Sequence, residues 1–292
     1  MVLSDVVAAL DDLYPPASAA AWDRVGLVAG DLDRPVRRVL FAVDPTLAVI
    51  DEAVAWDADL LVTHHPLLLH GIHSVATTSA KGAAVTRLVE NRVALFVAHT
   101  NADVAQPGVS SVLADALGLT DQRPLSTLEG RDGRPYAAGR VGTLAATSSL
   151  AEFADRLAKV LPATAGGIRV SGDPDAPVRV VAVMGGAGDD RFEQAREVGA
   201  DVYVTADLRH HPVLEAREES AGGPPYLVDA GHWATESLWL VSVRDRLQAA
   251  LKEITTPPAR VATRISVVRT EPWTFVVGAN VATPSPEVPP ES

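Results

Sequence analysis

Two histidines stand side by side in Thr63-His64-His65-Pro66, where the apolar run of residues 59–63 stops. Neighbours in a regular strand point to opposite faces, so an adjacent pair is a poor double ligand for one ion. At a strand end that turns into proline, each ring can reach a different ion. Two cations roughly 3.5–4 Å apart are the usual arrangement for metal-assisted hydrolysis. A capping histidine beside a solvated one is the plain alternative for such a pair taken alone. His232 and Glu236 are four apart and share a face if the segment is helical. A glutamate there can bridge two cations through its two oxygens, and the same spacing also describes a surface ion pair. His99 and Asp103 repeat the spacing after another apolar run. Asp103 can be a carboxylate ligand, and His99 a ligand, a hydrogen-bonded support or a proton shuttle. An N-cap aspartate and a turn histidine explain that second pair equally well.

The segment of residues 205–212 adds Asp207, Arg209, His210 and His211, candidates for binding substrate or moving protons. His70 and His73 lie in a loop and are not expected to coordinate. All eight histidines fall in residues 64–99 or 210–232. That clustering, just after strands, is the main chemical signal, because open α/β sheets bind ligands beyond the carboxyl ends of their strands. With histidine and carboxylate donors only, the site suits Zn, Mn, Fe, Co or Ni. The chain has no cysteine, which removes thiolate ligands, disulfides and cysteine nucleophiles together. The Gly-rich stretch of residues 185–190 is neither a P-loop nor a dinucleotide fingerprint, but could offer backbone N–H groups to an anion.

The elements that must position these groups are legible as a repeat. Residues 36–44 read as a strand, 45–58 as a helix and 59–63 as a second strand, a parallel βαβ unit. A helix over 79–91 and a strand over 93–98 follow. Residues 178–186 and 190–205 match 36–44 and 48–63 at a constant offset of 142 positions, so Asp59 and Thr63 fall on Asp201 and Thr205. At a separate offset of 133, His99 and Asp103 fall on His232 and Glu236. The fold expected is α/β, with two similar α/β lobes made by duplication and the site in the cleft between them. The boundaries expected are a first lobe over 1–120, a small α/β elaboration over 121–177, a second lobe over 178–278 and a disordered tail over 279–292. The N-terminal segment reads as a short amphipathic helix capped by Ser4, without the basic start and apolar stretch of a signal peptide.

The 292 residues include 47% hydrophobic ones, enough for a sizeable core, and no run of about 18 apolar residues that would cross a membrane. A net charge of −12 argues against a broad nucleic-acid surface. A cytoplasmic protein is the simplest expectation.

Six segments in order (22–31, 58–72, 98–105, 183–190, 205–216 and 229–237) resemble the NIF3-like dinuclear-metal family, also labelled GTP cyclohydrolase 1 type 2 homologue. The resemblance runs from about residue 3 to 278 and is to the short form, without the large extra domain of longer members. It implies two α/β lobes, assembly into a homohexamer (a trimer of dimers) and two divalent metal ions per subunit. Carried over residue by residue, His65 and Asp103 would hold one ion, His64 and His232 the other, and Glu236 would bridge them. His99, His211 and Asp207 match positions lining the site. Ala206 stands where glycine is usual and Trp233 where tyrosine is; neither is a ligand position. The implied function is a metal-dependent hydrolase acting on a small molecule such as a nucleotide or a cyclic amide, with His99 or His211 moving protons. A metal-handling or assembly protein without turnover is the alternative. The residues show no clear triphosphate clamp.

Overall fold

A computed structural model describes residues 1–254 and 261–278. The expected disordered tail, 279–292, lies outside them. The first helix, α1 (Leu3–Leu13), is followed by strands β1 (Gly26–Ala29) and β2 (Arg38–Ala42), helix α2 (Leu47–Ala55), strand β3 (Leu60–Thr63), helix α3 (Ala80–Glu90) and strand β4 (Ala94–Val97). The short α4 (Thr100–Asp103) and α5 (Val109–Ala116) lead to β5 (Thr120–Arg123) and the hairpin of β6 (Ser126–Glu129) and β7 (Pro135–Ala138). Then come β8 (Arg140–Ser149), α6 (Leu150–Val160), β9 (Arg169–Ser171), β10 (Pro177–Ala187), α7 (Phe192–Glu197), β11 (Val202–Ala206), α8 (His210–Glu219) and β12 (Tyr226–Asp229). Helices α9 (His232–Ser237) and α10 (Trp239–Ile254) and strand β13 (Ala262–Ile265) complete the described chain.

Besides the β6–β7 pair, two larger sheets result among the described residues, ordered β1-β4-β3-β2-β13 and β5-β8-β10-β11-β12-β9. Their centres are the repeat. β2, β3 and β4 are parallel, as are β10, β11 and β12. Val39 pairs with Leu60, and Val181 with Val202, which reproduces the offset of 142 strand by strand.

Each sheet is covered on both faces, which explains its continuous apolar strands. In the first, Phe41, Val62 and Phe96 face α1 and α10, while Leu40, Leu61 and Leu95 face α2 and α3. In the second, Val183, Val204 and Val228 join Leu113, Phe153 and Leu157, while Ala182, Tyr203 and Leu227 join Phe192 and Ala216. Alternation along each strand assigns neighbours to opposite layers.

Sheet membership cuts across the expected boundaries. β5, β8 and β9, drawn from the supposed elaboration, belong to the second sheet, where β8 pairs antiparallel with β10 from Pro177↔Ser149 to Val183↔Arg140. Those hydrogen bonds, and the burial of Phe153 and Leu157, require the larger sheet. At the other end, β13 pairs with β2, and α10 buries Trp239, Val243 and Leu247 in the first core. The chain after α9 therefore returns to the first lobe. The N-terminal helix also differs in detail. Its N-cap is Val2, whose N–H donates to the Asp5 carboxylate at 2.9 Å, so Ser4 lies inside the helix. No helix among the described residues is long and apolar enough to cross a membrane.

Candidate metal centre

The parallel strands β2, β3 and β4 end at one edge, and β10, β11 and β12 at another. The residues just beyond these ends meet. His64 and His65 follow β3, Asp44 follows β2, and His99 and Asp103 follow β4. From the second lobe come Asp207 after β11, and His232 and Glu236 on α9. His64 is wholly buried, its ring centre 5.4 Å from that of the buried Trp239 and tilted by 56°, so a core aromatic fixes its ring.

Each of four imidazoles has its Nδ1 engaged. His64 Nδ1 meets the Ala98 carbonyl at 2.9 Å, and His65 Nδ1 the Asp44 carboxylate at 2.7 Å. His99 Nδ1 meets Asp23 at 2.9 Å, and His232 Nδ1 meets Asp207 at 2.8 Å. An acceptor on Nδ1 selects the tautomer with its proton there, which leaves the Nε2 lone pair for a metal. Three of those Nε2 atoms converge on Glu236. Oε1 lies 3.0 Å from His232 and 3.3 Å from His64, and Oε2 lies 3.1 Å from His65. The Nε2 atoms of His65 and His232 are 3.2 Å apart, and His64 Nε2 is 3.7 Å from Asp103 Oδ1.

These spacings fit cations. Two ligand atoms about 2.1 Å from one tetrahedral ion stand about 3.4 Å apart, and the observed separations bracket that value. Facing Nε2 atoms otherwise repel unless one is protonated. His64 Nε2 and Glu236 Oε2 are buried and make no hydrogen bond. Buried polar atoms without partners are rare, and a cation satisfies both. His65, His232 and Glu236 form one group able to hold an ion, and His64, His65 and His99 another. His65 thus stands beside His232 and also in the group with His64 and His99, while Asp103 lies 3.7 Å from His64 and in neither group. The resemblance implied His65 with Asp103, and His64 with His232.

Electrostatics follow from this crowding. Burial opposes charge on His65, but the close Glu236 carboxylate and the hydrogen bond to Asp44 outweigh it and push the imidazole up to about 10. Burial likewise opposes charge on His232, and Asp207 and Glu236 push it up to about 11. His64 is raised, burial notwithstanding, mainly by Glu236. Burial works against the charge of Glu236, yet His64 and His65 hold its carboxyl well below the usual range. Asp103 is raised, chiefly by burial. Asp23, fully buried, is held below the usual range because its bonds to His99 and to the Thr100 N–H and hydroxyl outweigh desolvation.

The Gly-rich stretch serves this site as backbone. Gly186 has φ +69, and a Cβ there would lie 2.3 Å from Glu236 Oε1 and 3.2 Å from His232 Nε2. Its N–H is donated to the Thr235 hydroxyl at 3.0 Å, and the Gly185 N–H to Ser110, so neither is offered to an anion.

The remaining sequence candidates lie farther out. Asp207 is tied to His232, a supporting position rather than the substrate contact expected. Arg209 is exposed and pairs with Asp189. His210 lines a cavity of about 260 Å³ with Arg169 and Asp229, and those two also line a cavity of about 520 Å³ that reaches Asp207, His232 and Trp273. His211 is exposed, and its recorded ring contact is with His210. His70 and His73 are exposed. Asp23 and Asp44 were missed as supports. Asp44 could have been found as the acid closing the strand next to the one that carries the histidines.

The family model for Duf34/NIF3 (NGG1p interacting factor 3) matches residues 1–270. The chain belongs to that family. It is 51% identical over 282 residues to the GTP cyclohydrolase 1 type 2 homolog of Streptomyces coelicolor, with 95% of each chain covered. The protein of the same name from Mycobacterium leprae is 33% identical, with 93% of this chain and 94% of that one covered. That alignment spans 375 positions, more than the 292 residues here, so the relative carries inserted sequence. The crystal structure of a Bacillus cereus protein related to NIF3 superposes with a TM-score of 0.83 at 26% identity, covering 94% of this chain and 99% of that one.

Proposed function

We propose that this NIF3-family chain is a dinuclear-metal-dependent hydrolase. The observation that carries this reading is the buried Glu236 carboxylate, met by three imidazole nitrogens whose far sides are all anchored. His65, His232 and Glu236 would hold one divalent ion, and His64, Asp103 and Glu236 the other. When bound, such a pair supplies Lewis acidity that polarises a substrate oxygen and acidifies water. The chain's own residues supply the rest. Asp23 keeps the Nδ1 proton of His99 in place, so His99 Nε2 is the base nearest the cluster and the group to move protons. Asp44 and Asp207 orient His65 and His232. The cavity beside His232, walled by Trp273 and Arg169, has the size of a small-molecule site.

The names of the relatives point to GTP as the first substrate to try. The experiment is metal content per chain, for wild type and Glu236→Ala, followed by product analysis with GTP and cyclic amides. Two ions lost together in the variant, with turnover that tracks metal, would support the reading. Protein that takes up no Zn, Mn or Fe would sink it.

One observation favours a second reading, metal handling without turnover. Asp207 is occupied by His232, and no recorded contact joins His211 to the cluster, so fewer proton donors are at hand than a hydrolase could use. Transfer of the ions to a chelating acceptor, with no product from any substrate tested, would select this reading. We further propose a cytoplasmic homohexamer. The exposed Val267, Trp273, Phe275 and Val277 give one segment an apolar surface suited to burial between subunits. Light scattering that gives a monomer mass would refute that assembly.

A further inference from the structure

We propose that the edge of the first lobe opposite the metal centre binds a small organophosphate, its phosphate among arginines and its apolar group in an adjoining chamber. The site lies at the amino ends of β2 and β3, whereas the metal residues follow their carboxyl ends. A cavity of about 570 Å³ there is lined by Arg34, Arg37, Arg38 and Arg92. It shares Arg34, Asp59, Arg92 and Val93 with a chamber of about 280 Å³ whose walls include Leu3, Val36, Leu88, Val89 and Ala94. Four arginines at one spot are unusual in a chain of net charge −12.

Of the acids lining the two cavities, Asp31, Asp57 and Asp59, only Asp57 pairs with a guanidinium among the described residues, that of Arg38. Asp59 uses Oδ2 to accept the backbone N–H groups of Arg37 and Arg38, and Asp57 pairs with Arg38. No hydrogen bond, ion pair or ring contact engages the guanidinium groups of Arg34, Arg37 or Arg92 among the described residues. The duplicated lobe shows that the fold does not need this arrangement. Asp201 makes the same pair of bonds to the N–H groups of Arg179 and Val180, so the bond made by Asp59 is structural. At the offset of 142, Arg34, Arg38 and Asp57 fall on Ala176, Val180 and Gly199, and by strand register Arg92 falls on Pro224. Only Arg37 has a basic counterpart, Arg179.

Backbone strain points the same way at one residue. Arg92 (φ 56) and Asp57 (φ 50) occupy left-handed conformations just after helices α3 and α2, where glycine is the unstrained choice. The second lobe does place glycine, Gly199 (φ 69), at the position of Asp57. After α8, the counterpart of α3, the second lobe keeps the same turn at the uncharged Ala221 (φ 47), so the strain at Arg92 belongs to the fold and the comparison singles out Asp57 alone. Planar guanidinium groups match phosphate oxygens in pairs, and the chamber beside them sets the second half of the ligand.

The test is calorimetric titration of metal-loaded protein with phenyl phosphate and with inorganic phosphate. Phenyl phosphate should bind at least tenfold tighter, since its ring enters the chamber. The double variant Arg34→Gln/Arg92→Gln should weaken both probes at least tenfold at unchanged metal content. Val89→Ser should weaken phenyl phosphate alone, and Glu236→Gln should leave both unaffected. Arg92→Gly should raise Tm while weakening both probes, a combination that a purely structural arginine would not give. Affinity lost in Glu236→Gln but kept in the arginine double variant would place the phosphate on the metal centre and overturn the proposal. So would equal affinity for the two probes, no saturable binding, or tighter binding of a single-stranded oligonucleotide.

Discussion

Replacing Gly186 by alanine tests whether the metal centre depends on where backbone, rather than a ligand, has been placed. The new Cβ would stand 2.3 Å from Glu236 Oε1, against an ordinary contact of at least 3.4 Å. The carboxylate must therefore retreat about 1.1 Å, several times the roughly 0.2 Å tolerance of a metal–ligand bond. The left-handed backbone adds a separate cost of roughly 1–2 kcal/mol for any residue with a Cβ. At about 2–4 °C per kcal/mol that lowers Tm by about 2–8 °C. Gly133→Ala separates the two effects. Gly133 also has a positive φ, +73, but a Cβ there meets nothing within 4 Å. Elemental analysis and scanning calorimetry should find both variants folded and both somewhat destabilised, with metal lost only from Gly186→Ala. Full metal content at unchanged affinity in Gly186→Ala would refute the bridging role assigned to Glu236.

His65 and His232 are both raised well above the ordinary histidine value, and their facing Nε2 atoms, 3.2 Å apart, hold at least one proton between them at pH 8 in chelated protein. Loading metal should release at least about one proton per chain from this pair, read as the slope of calorimetric heat against buffer ionisation enthalpy; a slope of zero contradicts it. Both pKa values are raised on folding, so the stability these histidines give the chelated protein is fully present below about pH 6.5, the ordinary histidine value. It is lost as pH rises through 10 to 11, while apparent metal affinity climbs over the same range. Asp44→Asn and Asp207→Asn should each weaken metal binding roughly 10–100-fold without unfolding the chain, measured by competition with a chromophoric chelator; unchanged affinity would leave the two acids without a role at the histidines. In a two-step cobalt titration followed by visible absorption, His65→Ala and His232→Ala should remove the same step, and His64→Ala and Asp103→Asn the other. Loss of one step by His65→Ala and Asp103→Asn together would restore the pairing implied by the resemblance.

The donor set was legible because it sits at strand ends, and strand ends are marked locally by an apolar run meeting a polar break. His64, His65, His99, Asp103, His232 and Glu236 all carry that mark, and the repeat told which lobe each belongs to. Their supports were not legible in the same way. Asp23 reaches His99 across 76 positions and lies in no repeated segment, so although segment 22–31 belongs to the resemblance, nothing in it names His99 as the partner. Sheet membership was hidden for a related reason. Whether β8 stands alone or pairs with β10, and whether β13 closes the first sheet, depends on hydrogen bonds between distant segments and leaves no periodicity in either one. Asp207, which the sequence offers as a free acid after β11, is taken up by a ring 25 residues later.

The return of the chain after α9 orders events on the ribosome. β2 gains its outer neighbour only when β13 has emerged, and the apolar faces of α1 and the first sheet are sealed by α10, which is made after the whole second sheet. The half synthesised first is thus the half completed last. Until then its exposed strand edge and bare core face are what a chaperone would hold.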